Sequence, residues 1–350
     1  MHFPRRASAL SAIVLLAACS AEPPPPFEPA TVDIPARPGA IGPRISGSPG
    51  LGLFLSWMEK NDSGAALHFS RYVDGRWSAP ETVASGIDMF VNWADMPSVQ
   101  PMGNGRLAAH WLEMSADLTY SYDVVFVQSD DGGRTWSEPL RPHDDGTPTE
   151  HGFVSMFADG DGAGLIWLDG RKTGNEASGD PTTTGMTLRA ATIAPDSSIR
   201  NEQLVDDLIC DCCQTDIAVA ASGAVAVYRD RSVAEIRDIS VTRRIDGRWQ
   251  PGTPIAADHW EIPGCPVNGP SIVADGEFVA VAWFTAAGGR PVVKLAMSFD
   301  SGATFNAPIE VAADNVQGRV GLVNLGDGDI AVSWLQSGAS GTHPVFARRY

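Results

Sequence analysis

Six short apolar runs, each ending on a large aromatic residue, recur along the chain: LGLFLSW, LAAHW, GLIW, AVAVY, FVAVAW and IAVSW. Their last residues, Trp57, Trp111, Trp167, Tyr228, Trp283 and Trp334, are separated by 54, 56, 61, 55 and 51 positions. Each run is followed by a second strand-like stretch, such as ALHFSRY or DVVFVQS, and preceded by another, such as PSVQPM or HGFVSMFA. A unit of this length holds about four short strands and cannot bury a core alone, so neighbouring units must stack. Six units predict an all-β chain: a six-bladed β-propeller of four-stranded antiparallel blades. The 36 glycines, 26 prolines and 19% charged residues suit a chain of many tight turns.

A second register runs through the same repeat. SDDGGRTW (129–136) and SFDSGATF (298–305) share Ser, Asp, Gly, Thr and an aromatic at matching offsets. VDGRW (73–77) and IDGRW (245–249) keep the turn and the aromatic, and APDSSI (194–199) is a weaker copy. Their aspartates, Asp74, Asp131, Asp196, Asp246 and Asp300, lie 57, 65, 50 and 54 residues apart. Each stretch reads as the hairpin between the third and fourth strands of a blade. An Asp carboxylate accepts turn N–H groups, Gly takes positive φ cheaply, and the aromatic packs into the apolar layer. The last run, PVFARRY, reaches only a third strand, so ATVDIPA (30–36) is expected to supply the fourth and close the ring.

SDDGGRTW and SFDSGATF resemble the Asp-box (BNR) repeats of the sialidase superfamily. As architecture the resemblance covers nearly everything after the N-terminal segment. It names no reaction by itself, because function resides in sites grafted on a fold.

The N-terminus has its own signature. MHFPRR is basic, ASALSAIVLLAA is apolar, and LLAAC resembles the bacterial lipobox. Residues 1–18 are expected to be a signal peptide, Cys19 the lipidated first mature residue, and the Pro-rich stretch to residue 29 a spacer. Residues 30–350 are then the propeller. Ser20 after the Cys leans, by the same resemblance, towards a lipid anchor in the outer membrane, facing periplasm or surface. A formal net charge of −17 argues against nucleic acid, which needs a basic surface. It also means that an anionic ligand has to be held by local groups.

If the Asp turns occupy one face, the starts of first strands and the ends of second strands gather at the other. Charged residues concentrate at those positions, among them Arg44, His151, Arg171 and Arg319. RDRSVAEIRD (229–238) adds Arg231, Glu235 and Arg237. One reading of that loop is a surface segment laced with its own ion pairs; the other is an Arg cluster for a carboxylate. Sialidases bind a sugar carboxylate through three arginines from different blades. That resemblance implies Arg44 in PRIS as the first, Arg319 in GRVG as the second, and Arg231 or Arg237 as the third. Asp95 in NWADMPS opens an inner strand and is the candidate acid/base carboxylate, against a plain turn Asp before Pro97. Sialidases also use a Tyr activated by a Glu. Tyr120 and Tyr122 lie on a mouth segment of the second blade, and Tyr120 with Glu235 is the pair expected if the fold joins them.

ICDCCQTD places Cys210, Cys212 and Cys213 at the entry to the fourth blade, and Cys265 in GCPVNG enters the fifth. In an oxidising compartment these four make two disulfides, in any of three connectivities. A bond from Cys212 or Cys213 to Cys265 would tie two blades together. The alternative is a copper or zinc site on these thiolates with His151, His259 or His110 nearby, although the spacing matches no standard zinc motif. The expected protein is an envelope lipoprotein whose propeller handles a carbohydrate or other small anionic ligand, as a glycoside hydrolase without a cofactor. The competing expectation is a non-catalytic propeller that binds a protein partner or a metal through its Cys-rich mouth.

Overall fold

The computed structural model describes residues 30–48, 52–173, 184–326 and 328–350. The expected signal peptide, Cys19 and the Pro-rich spacer to residue 29 lie outside them. Six antiparallel sheets follow one another in chain order. The first contains β1 (Ile41–Ser48), β2 (Gly52–Asn61), β3 (Gly64–Val73), β4 (Arg76–Trp77) and β5 (Glu81–Gly86). The second contains β6 (Ser98–Gly103), β7 (Arg106–Met114) and β8 (Tyr122–Ser129). The third contains β9 (His151–Asp159), β10 (Gly162–Asp169), β11 (Met186–Ile193) and β12 (Ile199–Ile209). The fourth runs through β13 (Asp216–Ala220), β14 (Gly223–Arg229), β15 (Ile239–Ile245), β16 (Arg248–Trp249) and β17 (Thr253–Pro254). The fifth holds β18 (Ser271–Asp275), β19 (Phe278–Thr285), β20 (Val292–Ser298) and β21 (Ile309–Ala313). The sixth holds β22 (Val316–Gly326), β23 (Asp329–Gln336) and β24 (Val345–Arg349). This is the six-bladed β-propeller, and no helix among the described residues is long and apolar enough to cross a membrane.

The blades are not uniformly four-stranded. In the first and fourth, the outer strand is broken in two, so β4 and β5 both pair with β3, and β16 and β17 both pair with β15. The second blade replaces its outer strand with one bridge, Phe126 to Leu140. The expected closure is also corrected: residues 30–40 form no strand, and among the described residues the sixth blade has three strands. Val345, at 71% exposure, and Phe346 remain open to solvent on that outer strand.

The six repeat aromatics are all buried. Each buried ring removes apolar area from water, worth about 1.5–3 kcal/mol. Burial leaves their polar atoms to be satisfied, and in the first three blades the sequence supplies the partner two residues on. The indole N–H of Trp57 donates to Glu59 (2.8 Å), that of Trp111 to Glu113 (2.9 Å) and that of Trp167 to Asp169 (3.0 Å). Trp283 turns instead to Asp258 (2.7 Å), and the Tyr228 hydroxyl to Asp206 (2.6 Å). Five apolar clusters fill the five successive blade interfaces.

The two full Asp turns are built alike. Ser129 Oγ accepts the Gly133 N–H (2.8 Å), while Asp131 accepts the Thr135 N–H (2.9 Å) and hydroxyl (2.7 Å). Ser298, Gly302, Asp300 and Thr304 repeat the pattern. The Thr135 bonds hold the Asp131 carboxyl down to about 2. Trp136 then packs edge-on against Phe69 of the preceding blade, with ring centroids 6.1 Å apart. The motif is structural: it ties a hairpin and seals an interface.

Candidate functional site

Residues 87–97 link the first two blades and lead into the first strand of the second. Asp95 in that link is 1% exposed. Its Oδ1 accepts the N–H of Phe153 (2.8 Å), and its Oδ2 lies 3.2 Å from the Tyr122 hydroxyl. The same hydroxyl lies 2.6 Å from Glu150 Oε1. Three blade segments therefore meet at one phenol. The approach is close enough that a Cβ on Gly152 would overlap the Asp95 carboxylate and sit 3.0 Å from the Tyr122 ring. Phe153, at φ 52°, holds a left-handed conformation that is strained for a bulky residue and is over-determined here by the Asp95 bond.

The electrostatics follow from burial. It pushes Asp95 up to about 7, against the opposing Phe153 N–H and with support from the Glu150 charge. Burial likewise pushes Glu150 up to about 7, and lifts the Tyr122 phenol well above its ordinary range, helped by both carboxylates. One phenol hydrogen cannot serve two acceptors. A carboxyl that keeps its own proton at neutral pH donates to the phenol oxygen, which frees the phenol proton for the other carboxylate.

Arg44 on β1 has no ion-pair partner among the described residues, yet its charge reaches Asp95, Asp216 and His110. His110 is pushed down to about 3, by burial first and by Arg44 second. Arg319 on β22 is likewise without a carboxylate, and burial lowers it from the usual guanidinium value. Its guanidinium lies over the Trp93 ring, 4.8 Å from the centroid, and Trp93 is 61% exposed. The expected Arg44, Asp95 and Arg319 are thus linked through residues 93–95. Tyr122 and Glu150, 28 residues apart in the sequence, join them. Tyr122 opens β8, where strand alternation turns it inward, whereas Tyr120 two residues earlier is 60% exposed.

The remaining candidates have other partners. Arg231 pairs with Glu235 (2.6 Å) and Asp211 (3.2 Å), and Arg237 with Glu235 (2.8 Å) and Asp211 (3.5 Å). Burial pushes Glu235 up, but the hydrogen bonds from Arg231 and Arg237 outweigh it and hold the carboxyl below its usual value. This is the self-paired reading of the loop, and Glu235 makes no contact with Tyr120. Arg171 forks onto Asp169 (2.7 and 2.8 Å) and also meets Asp145 (3.3 Å). His151 is fully buried, with its ring stacked on His143 at 3.9 Å between centroids.

The cysteines pair as Cys210–Cys213 and Cys212–Cys265, with Cα separations of 5.8 and 6.0 Å. The second bond ties the entries of the fourth and fifth blades together. All four sulfurs are bonded, so none offers a thiolate to copper or zinc. Gln214 extends the staple: its Nε2 donates to Ala94 O (2.7 Å), and its Oε1 accepts the Gly269 N–H (3.2 Å).

No family model matches the chain, and no curated protein matches it by sequence. Solved structures do. A Hadza microbial sialidase aligns with a TM-score of 0.50 at 15% identity, over 84% of this chain and 63% of its own. A Trypanosoma rangeli sialidase gives 0.51 at 11% identity, over 88% of this chain and 54% of its own. A protein of unknown function from Dyadobacter fermentans gives 0.53 at 14% identity, over 89% and 94%. The chain spans less than two thirds of the length of the two sialidases. By fold, it is a six-bladed β-propeller similar to those of the solved sialidases.

Proposed function

We propose that the mouth binds an anionic sugar and cleaves its glycosidic bond. Arg44 and Arg319 hold the carboxylate, and the exposed Trp93 face supports the ring. Tyr122 attacks the anomeric carbon while Glu150 takes the phenol proton, and Asp95, protonated near neutral pH, gives its proton to the leaving oxygen. The observation that carries this reading is the Tyr122 hydroxyl set between Glu150 (2.6 Å) and Asp95 (3.2 Å), with the unpaired Arg44 close enough to act on Asp95. The fold of the sialidase neighbours supports it as architecture.

A second reading rests on the burial of Tyr122, which is 0% exposed, and on a counterpart of Asp95 elsewhere. Asn268 precedes β18 as Asp95 precedes β6, and its Oδ1 accepts the N–H of the left-handed Arg319 (2.9 Å). In that reading Asp95 is an inter-blade clip, and the funnel binds its anion without chemistry. Hydrolysis of a fluorogenic sialoside separates the two. The enzyme reading expects turnover by the wild-type chain, lowered at least about 100-fold in Tyr122→Phe and in Asp95→Asn. No turnover of any acidic glycoside by folded wild-type protein would leave only the binding reading.

A further inference from the structure

Beside the mouth triad, on the opposite side of β8, lies a second polar cluster that the glycosidase reading does not use. Asp123 projects there, together with His143, Asp145 and His151. His143 and His151 lie face to face, 5° from parallel, and both are buried. Asp145 Oδ2 faces one edge of both rings, 3.5 Å from His143 Nδ1 and 3.1 Å from His151 Nε2. Asp123 Oδ1 faces the other edge of both, 4.0 Å from His143 Nε2 and 3.7 Å from His151 Nδ1.

The proton count at His151 does not close. Its Nδ1 also faces the Thr149 carbonyl oxygen at 3.1 Å, so both ring nitrogens point at acceptors. A neutral imidazole carries one N–H. The second edge therefore needs another positive centre, either a proton or a cation. A second proton would set an imidazolium against the parallel face of another imidazole. The surrounding charges also leave room for a cation. Arg141 pairs with Glu113 and Asp123, while Arg171 and Arg189 share Asp145, Asp169 and Glu202. Five carboxylates thus meet three guanidinium groups, a shortfall of two charges.

We infer that Asp123 Oδ1, His143 Nε2 and His151 Nδ1 bind one divalent transition-metal ion of the zinc class, with Asp145 accepting the far N–H of both imidazoles. The three donor atoms already lie within 4.8 Å of one another. Tetrahedral zinc with bonds of about 2.0–2.2 Å sets its donors roughly 3.3 Å apart, so the site closes by about half an ångström and the rings splay from parallel. A carboxylate behind each metal-bound histidine is the usual device for fixing its tautomer. The Val124 N–H, 3.3 Å from His143 Nε2, is the weak bond that an ion replaces. Arg141 Nε donates to Asp123 Oδ2 (2.8 Å), leaving Oδ1 for the ion. Asp123 and His143 line a cavity of about 350 Å³ with Ser115, Arg141 and Thr147. The fourth coordination position therefore opens to a water or a small ligand.

The test uses the purified chain with its disulfides intact, treated with a chelator and dialysed. Zn2+ is titrated by calorimetry, and Co2+ by visible absorption. The expected result is one ion per chain, with tetrahedral Co2+ bands and no thiolate charge-transfer band. Affinity should fall at least about 100-fold in Asp123→Asn and His143→Asn, and about 10–100-fold in Asp145→Asn. Failure of the wild-type chain to bind stoichiometrically would overturn the site. So would binding unchanged in folded Asp123→Asn, or cobalt spectra with thiolate bands. Should His143→Asn fail to fold, the near-isosteric Asp123→Asn decides the matter. None of these readouts depends on turnover, so the metal site and the glycosidase reading stand or fall separately.

Discussion

Asp95 accepts a backbone N–H that fastens one blade to another, and it is a carboxyl that burial pushes up to about 7 from an ordinary 3.8. The second property makes it a stability sensor. Below about pH 4, folded and unfolded chains both hold this proton. Between there and about pH 7 the folded chain still holds it and the unfolded chain has lost it. Stability therefore falls as pH rises through that window, by ~4 kcal/mol at most. Asp95→Asn keeps the acceptor for Phe153, as Asn268 does for Arg319, and removes the titration. The expected outcome is a wild-type melting temperature that declines between pH 4.5 and 7.5, with a flatter profile in the variant. Parallel profiles would mean that Asp95 is ionised throughout. The sequence made Asp95 legible because it stands just before an inner strand. It could not make Tyr122–Glu150 legible, since the two are 28 residues apart and no local pattern records that β8 and the entry to β9 converge.

At the level of the blade, the repeat was readable because two independent registers agreed. The core aromatics marked second strands, and the Asp turns marked the hairpins that leave third strands. What the pattern could not specify was the outermost strand, where few contacts discriminate between pairing and solvent. The split outer strands of the first and fourth blades, the single bridge of the second, and the unpaired outer edge of β24 all fall there. Tolerance at a turn follows instead whether the turn packs on a neighbouring blade, and two turn glycines measure the difference. Gly133, at φ 89°, would place a Cβ 2.5 Å from the Phe69 ring and 3.1 Å from Leu107. Gly105, at φ 76°, would meet nothing within 4 Å. Gly105→Ala carries only the backbone cost of a left-handed Ala, about 1 kcal/mol, whereas Gly133→Ala adds overpacking of about 1–3 kcal/mol. Urea unfolding of the two variants should show the larger midpoint shift in Gly133→Ala. Equal shifts would mean that Trp136 and Phe69 yield freely, and that the turn does not lock the interface.

For the whole molecule, the controlling number is the formal charge of −17, against which Arg44 and Arg319 are local exceptions. On the proposed reading, an anionic sugar approaches through a field that repels it and is attracted locally by Arg44 and Arg319 at the mouth. Salt acts unequally on these two contributions. The Debye length shortens from about 30 Å at 0.01 M to about 8 Å at 0.15 M, which removes most of the long-range repulsion. It weakens a direct guanidinium–carboxylate contact much less, because that contact is close and partly desolvated. Raising salt over this range should therefore lower the KM or Kd for an anionic sugar. A site lined by a general basic surface would do the opposite, and a neutral sugar of the same size should respond little. Replacing Arg44 and Arg319 by Gln should weaken binding while leaving the long-range repulsion and its salt response in place. An affinity that weakens with salt in the wild-type chain would mean that attraction rather than long-range repulsion governs the ligand's approach, and would overturn this account of the mouth.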